Sequence, residues 1–288
     1  MKTRLIFLYF AVRHLSRRLR KYLIRTLFSV DQTNPFLGEQ LAVIDNINKF
    51  GIAQTHFSQL AFSGNVNESF HNSRKRASSL LAEMNLLEQK IDHTDEQAKD
   101  FKVTITDLFL KEDLINIITD PKILDIVRGY FKTEAYLNQA EVWWDRPVEG
   151  EERDSQNFHV DGEDPLLLKV FIYFTDVKDG DGPFTYVKKS HKTIRQTYFI
   201  LRYGVASIPE SRLSNKTKLN IIQGIESSGT IFFADTNGLH RGAKISQESK
   251  GRILMMLSFV SKWPIRSSKN EESLLPFTSA KDLMAKNF

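Results

Sequence analysis

Apolar and polar residues follow two different periods along this chain, helical before Tyr136 and strand-like after it. Near the start, Leu8, Val12, Leu15, Leu19, Leu23 and Leu27 recur at spacings of three and four, which predicts an amphipathic helix with most of its arginines on the other side. A second amphipathic helix is expected from Asn34 to Gly51, with Pro35 at its start and a short extended Ile52-Ala53 behind it. Ser63 to Asn72 is polar without a clear period, Ser73 to Lys99 has helical spacing, and Asp120-Pro121 opens a helix through Ile126 to Tyr130.

From Tyr136 the pattern changes to short runs rich in Val, Ile, Phe and Tyr, separated by Gly, Asp and Pro clusters. Val142-Trp143-Trp144, Phe158 to Asp161, Leu166 to Thr175, Pro183 to Val187, Thr230 to Ala234 and Arg252 to Ser261 are the expected strands. Such spacing predicts an antiparallel barrel or sandwich. With helices segregated ahead of it, the class is α+β. The division expected is an N-terminal helix over 1–33, one domain over 34–265 (helical to 135, barrel from 136) and a tail over 266–288.

Composition narrows the chemistry more than the fold. The absence of cysteine among 288 residues removes disulfides, thiolate metal sites and cysteine nucleophiles, and fits a reducing cytoplasm. The net charge of +5 has a local source. Lys2, Arg4, Arg13, Arg17, Arg18, Arg20, Lys21 and Arg25 all precede the first acidic residue, Asp31, and the remainder is slightly acidic. The body therefore has no expected nucleic-acid face. The basic helix has two readings of equal weight: contact with an anionic membrane surface, or packing on the protein's own core. Its apolar run is too short to span a bilayer, and no small-residue cleavage site follows it.

Candidate chemistry lies within the strands. Residues two apart on a strand share a face, so His159 and Asp161 can both reach one ion while Val160 points away. A His-x-Asp tripeptide is common by chance in a chain with seven histidines. Its weight comes from His240, which follows the apolar run Thr230 to Ala234 and the turn Asp235-Thr236-Asn237-Gly238. Two imidazoles and a carboxylate suit iron(II) or another divalent transition ion and leave one metal face open. Arg252 opens an apolar strand, an unusual place for a charge unless the guanidinium meets an anion. A dicarboxylate cosubstrate, with its keto acid end on the metal and its far carboxylate on Arg252, would supply one.

The order of these segments resembles the phytanoyl-CoA dioxygenase type of iron(II) and 2-oxoglutarate dependent dioxygenases. The resemblance runs from Phe36 to Ser261 through Gln156-Asn-Phe-His159-Val-Asp161-Gly162, Lys169 to Val177, Gly182 to His191, Gly229 to Gly242 and Arg252. It implies a double-stranded β-helix, a jelly-roll (cupin-like) barrel with the helical half packed on it. It also implies His159, Asp161 and His240 as iron ligands, Arg252 on 2-oxoglutarate, and Lys169 or Phe171 facing that cosubstrate. The implied reaction consumes O2 and hydroxylates an aliphatic C–H of a small or amphiphilic molecule, releasing succinate and CO2. The alternative is a non-catalytic metal-binding barrel acting as a membrane adaptor through its basic helix. Trp143, Trp144 and the segment Thr193 to Leu213 are expected on the substrate side. Two departures stand out: Lys188-Lys189-Ser190-His191 replaces the family's usual Pro-Gly-Ser-His turn, and Gly242 stands where many members carry a hydroxyl residue. Asp161 is kept, which argues against halogenase chemistry, where a small residue replaces the carboxylate.

Overall fold

The computed structural model describes residues 19, 21, 22, 24–26, 38–91, 101–192, 207–261 and 275–276. Its elements run α1 (Gly38–Phe50), β1 (Ile52–His56), α2 (Gly64–Glu83), β2 (Lys102–Thr104), α3 (Lys111–Ile118), α4 (Pro121–Phe131), β3 (Tyr136–Asp145) and β4 (Leu168–Tyr173). They continue as β5 (Phe184–Val187), β6 (Ile221–Gln223), β7 (Thr230–Ala234), β8 (His240–Gly242), β9 (Arg252–Val260) and β10 (Leu275–Pro276), with short helical turns between them.

The helix boundaries have identifiable causes. At Gly51 the backbone takes φ +85°, and a side chain there would meet the Tyr186 hydroxyl at 2.3 Å, so α1 ends on a residue that only glycine fits. Asp120 caps α4 by accepting from the Lys122 amide at 2.7 Å, with Pro121 in the first turn. The polar stretch Ser63 to Asn72, aperiodic by sequence, belongs to α2. Ser69 and Ser73 occupy the buried face together with Val66, Phe70, Ala77 and Leu80, and these small polar residues mask the helical period. The helix α3 was not anticipated either.

Antiparallel pairing builds a seven-stranded sheet in the order β1-β7-β4-β9-β3-β10, with β2 also on β3, and a three-stranded sheet β6-β5-β8. Two strands of the large sheet, β1 and β2, come from the half expected to be mainly helical, because the extended Ile52-Ala53 continues to His56 along β7. In the expected tail, Leu275 and Pro276 pair with Leu137 and Tyr136. The strand expected over Phe158 to Asp161 is reduced to single bridges, Phe158 to Ile208 and His159 to His240, because the Asp161 amide turns away to the Thr236 carbonyl.

The pleat of the large sheet sorts its side chains into two cores. Leu168, Val170 and Ile172 of β4, Ile231 and Phe233 of β7, and Ile253, Met255, Leu257 and Phe259 of β9 pack with the helices. The intervening Phe171, Tyr173, Phe232, Leu254 and Met256 point the other way and meet Phe184 and Tyr186 of the small sheet. This inner side holds the site.

At the N-terminal helix, Ile24 is buried in the helix-side core, Arg25 donates to the carbonyls of Tyr130 and Phe131, and Lys21 donates to the Tyr130 hydroxyl. The docked face is therefore Lys21, Ile24 and Arg25. Leu19, part of the expected apolar stripe, is 58% exposed and Tyr22 64%. Leu8, Val12, Leu15, Leu23 and Leu27 lie outside the described residues. Among the described residues, no helix is long and apolar enough to cross a membrane.

Phe259→Ala removes a fully buried ring from the helix-side core. It is expected to cost about 3–5 kcal/mol in urea unfolding. Leu219→Ala, at a position 86% exposed, should stay within about 0.5 kcal/mol.

Candidate metal centre and cavity

A backbone pairing brings the two histidines together. His159 N donates to His240 O at 2.9 Å and His240 N donates to His159 O at 3.0 Å, which brings the imidazoles side by side, tilted at 51° with centroids 4.3 Å apart. Each Nδ1 is 2.9 Å from a carbonyl two residues earlier, Asn157 for His159 and Gly238 for His240. A carbonyl only accepts, so both Nδ1 atoms carry the proton and both Nε2 lone pairs are free to face an ion. Asp161 Oδ1 lies 3.8 Å from His159 Nε2, and Oδ2 lies 3.5 Å from His240 Nε2. The three ligand atoms lie within 4.8 Å of one another, close enough to share one divalent ion.

Burial and neighbouring charge set the protonation of Asp161 and His240. Burial would raise the Asp161 carboxyl, but the Lys169 ammonium at 2.9 Å and the two imidazoles outweigh it and hold the group well below the usual carboxylate range. For His240, burial and then the neighbouring His159 push the imidazole down to about 3, so it is neutral at physiological pH. Lys169 is held in turn by Glu163 at 3.2 Å.

The anion-binding end is built by strand register. β3 and β9 pair Asp145 with Arg252, and the Arg252 Nε donates to Asp145 Oδ2 at 2.8 Å. One terminal nitrogen donates to the Tyr173 hydroxyl at 3.3 Å. The other lies 3.1 Å from where a side chain on Gly242 would begin. Arg252 thus meets its anion within the chain, at Asp145, where the sequence suggests a cosubstrate carboxylate, and its side chain still lines the cavity. The absent hydroxyl at Gly242 leaves room for the guanidinium.

His159, Asp161, His240, Lys169, Phe171 and Arg252 all line one cavity of about 220 Å³. Its walls include Trp143, Phe184 and Met256, with Phe101, Lys102, Gln139 and Asp145 completing the lining from β3 and from β2 and its flank. Trp143 carries the Lys102 ammonium 3.7 Å above its ring. Trp144 is turned by the pleat into the helix-side core and donates to Lys250 O, so only one of the two expected tryptophans lines the cavity. Of Thr193 to Leu213, residues 193–206 lie outside the described residues; Ile208 and Leu213 pack with Phe158 and Leu239 instead of lining the cavity. His191 Nε2 lies 3.3 Å from Asn48 O at the end of α1 and does not line the cavity. Sequence reasoning missed Asp145 and Gln139. Continuing the alternation from Trp143 in steps of two would have placed both on its face.

Neither a protein-family profile nor a curated protein matches the chain. Solved structures do. EctD from S. alaskensis in its apoform superposes with a TM-score of 0.55 at 16% identity, over 86% of this chain and 89% of that one. The same protein with 2-oxoglutarate and 5-hydroxyectoine gives a TM-score of 0.52 at 15% identity, covering 81% and 79%. AviO1 from Streptomyces viridochromogenes Tue57 gives 0.51 at 11%, covering 81% and 100%. EctD is also known with bound Fe. The chain thus shares the fold of these proteins, a mixed architecture of helices on antiparallel sheets, and carries a His-Asp-His cluster able to hold a metal on that fold.

Two outcomes follow from this geometry. Asp161→Ala should weaken Mn(II) binding by more than about 100-fold in calorimetry, beyond the range usual for groups that only support a ligand. The second concerns acid stability. His240 takes up its proton more readily in the unfolded chain, so its contribution is complete above about pH 6.5 and is lost as pH falls toward 3. Asp161, held low, adds further loss in the acid range below its ordinary value. The unfolding free energy of the metal-free protein, from urea titrations, should fall from about pH 6.5 downward by up to about 1.4 kcal/mol per pH unit for one proton, and His240→Asn should flatten that slope.

Proposed function

We propose that the protein is an iron(II)- and 2-oxoglutarate-dependent oxygenase on a double-stranded β-helix. Its reaction is hydroxylation of an aliphatic C–H in a small or amphiphilic molecule, and its motifs ally it to the phytanoyl-CoA dioxygenase type. The observation that carries the reading is that one cavity is lined by both polar groups a keto dicarboxylate needs: the His159, Asp161 and His240 cluster able to hold an ion, and the Arg252 guanidinium.

With iron and 2-oxoglutarate bound, the centre supplies oxidative chemistry toward a nearby C–H bond. The chain's own residues prepare the ground. His159, Asp161 and His240 offer three donors from one side, as a facial set with open positions requires. Arg252, oriented by Asp145 and Tyr173, offers hydrogen-bond donors to the far carboxylate. Phe171, Phe184, Trp143 and Met256 exclude water from the reacting side. Retention of Asp161 favours hydroxylation over halogenation. A cavity of about 220 Å³ is below the usual range for ligand pockets, which favours a small reacting group.

A second reading, peripheral contact with an anionic membrane, draws on Leu19 and Tyr22. Both are exposed on a helix whose Lys21, Ile24 and Arg25 face the domain. It is compatible with the first and would bring an amphiphilic substrate to the cavity.

Anaerobic addition of Fe(II) and 2-oxoglutarate should produce the visible metal-to-ligand charge-transfer band of the chelate, and His240→Ala should abolish it. Arg252→Leu should raise the 2-oxoglutarate concentration needed for half-development at least tenfold, about the loss of one charged hydrogen-bonded pair. No band in metal-loaded protein overturns the oxygenase reading. For the membrane reading, Leu19→Ser with Tyr22→Ser should reduce co-sedimentation with phosphatidylserine vesicles, and unchanged sedimentation rejects it.

A further inference from the structure

The turn that precedes His240 is held by a carboxylate the proposed chemistry does not use. Asp235 is 1% exposed. Its Oδ2 accepts a short hydrogen bond from the Tyr130 hydroxyl of α4 and lies 3.6 Å from the Lys21 ammonium of the N-terminal helix. Its Oδ1 accepts from the Asn237 amide at 3.1 Å. The backbone of the same residue is fixed as well: its amide donates to Gly51 O at 2.8 Å, and its carbonyl accepts from the Tyr186 hydroxyl at 2.9 Å.

This turn is the support of the candidate metal ligands. The Thr236 carbonyl accepts from the Asp161 amide at 2.9 Å, and the Gly238 carbonyl lies 2.9 Å from the His240 Nδ1. One four-residue turn therefore sets the position of Asp161 and the tautomer and rotation of His240. Turn geometry alone can be held by neutral groups. A buried carboxylate is costly unless a donor and a counter-charge meet it. Among the described residues, the ammonium that meets Asp235 comes from Lys21, far upstream in sequence. Tyr130 links the two, since Lys21 also donates to its hydroxyl at 3.4 Å and Arg25 grips its carbonyl at 2.8 Å.

We infer that the N-terminal helix is a latch on the metal centre, in which Lys21 acts through Tyr130 and Asp235 to preorganise Asp161 and His240. Asp235 and Tyr130 are positioning residues, and the helix around Lys21 is a working part of the site as well as an appendage of the fold. The inference rests on the reading of His159, Asp161 and His240 as a metal site. It adds that occupancy of the Asp235 carboxylate by the helix sets the affinity of that site.

The test is Mn(II) affinity of the full chain, by calorimetry and by electron paramagnetic resonance, well below the melting transition. Tyr130→Phe and Asp235→Asn should each weaken binding about tenfold, the low end for groups that support a metal ligand. Lys21→Met should weaken it severalfold and Lys21→Arg should restore it. Lys90→Met, which breaks only the surface pair with Asp107, is the control and should leave affinity unchanged. If Asp235→Asn does not fold, Lys21→Met and Tyr130→Phe decide alone. The latch is overturned if both stay folded and bind Mn(II) within about twofold of the parent, even with a lowered melting temperature, since that is the signature of a purely structural pin. A parent protein that takes up no Mn(II) overturns the metal-centre reading and the latch with it.

Discussion

The large sheet is buried on both faces, and that constraint governs everything else in the molecule. A strand covered on one side only can leave polar residues to water. Here β3, β4, β7 and β9 pack helices against one face and close a cavity against the other, so a charge on the inward face needs a partner. The pleat then decides chemistry as much as packing. Register places Arg252 beside Asp145 at one end of the inner face and Lys169 beside Ser258 toward the other. Between them lie Phe171 and Met256, an apolar floor.

Three charges on or behind this face are each answered from a different element. Arg252 of β9 is met by Asp145 of β3, Lys169 of β4 by Asp161 and Glu163, and Asp235 by Tyr130 of α4 and Lys21 of the N-terminal helix. Such pairs add little net stability, because desolvation offsets most of their attraction, but removing one partner leaves the other stranded. They act as geometric instructions that fix which elements must come together before the cavity exists. The small sheet contributes the complementary instruction, because the backbone bridge from His159 to His240 brings the two imidazoles side by side and a carbonyl two residues before each one orients its ring.

Much of this was legible before folding. Thr230 to Ala234 and the strand starting at Arg252 read directly as apolar runs, and Asp120-Pro121 announced the start of α4 by its capping chemistry. The metal candidates were legible from the His159-x-Asp161 spacing, although the strand expected there shrinks to single bridges and Asp161 joins the cluster from irregular backbone. What escaped had a physical reason in each case. The first part of α2 hid behind buried serines, and β2 and β8 are three-residue strands too short to show a period. Trp143 and Trp144 are adjacent and chemically alike, so composition could not tell that only the former lines the cavity.

The N-terminal segment marks the boundary between the two kinds of information. Sequence alone determined that it is basic, helical in period and set apart in charge from an acidic body, since charge and spacing are local properties. It could not determine which face docks, because that depends on what the rest of the chain presents. A carboxylate on the turn before His240, a phenol on α4 and two backbone carbonyls together draw Lys21 and Arg25 inward and leave Leu19 outside. Identity of the candidate ligand residues was written in the sequence; their convergence, and the partner that steadies each one, came from long-range pairing that no local pattern encodes.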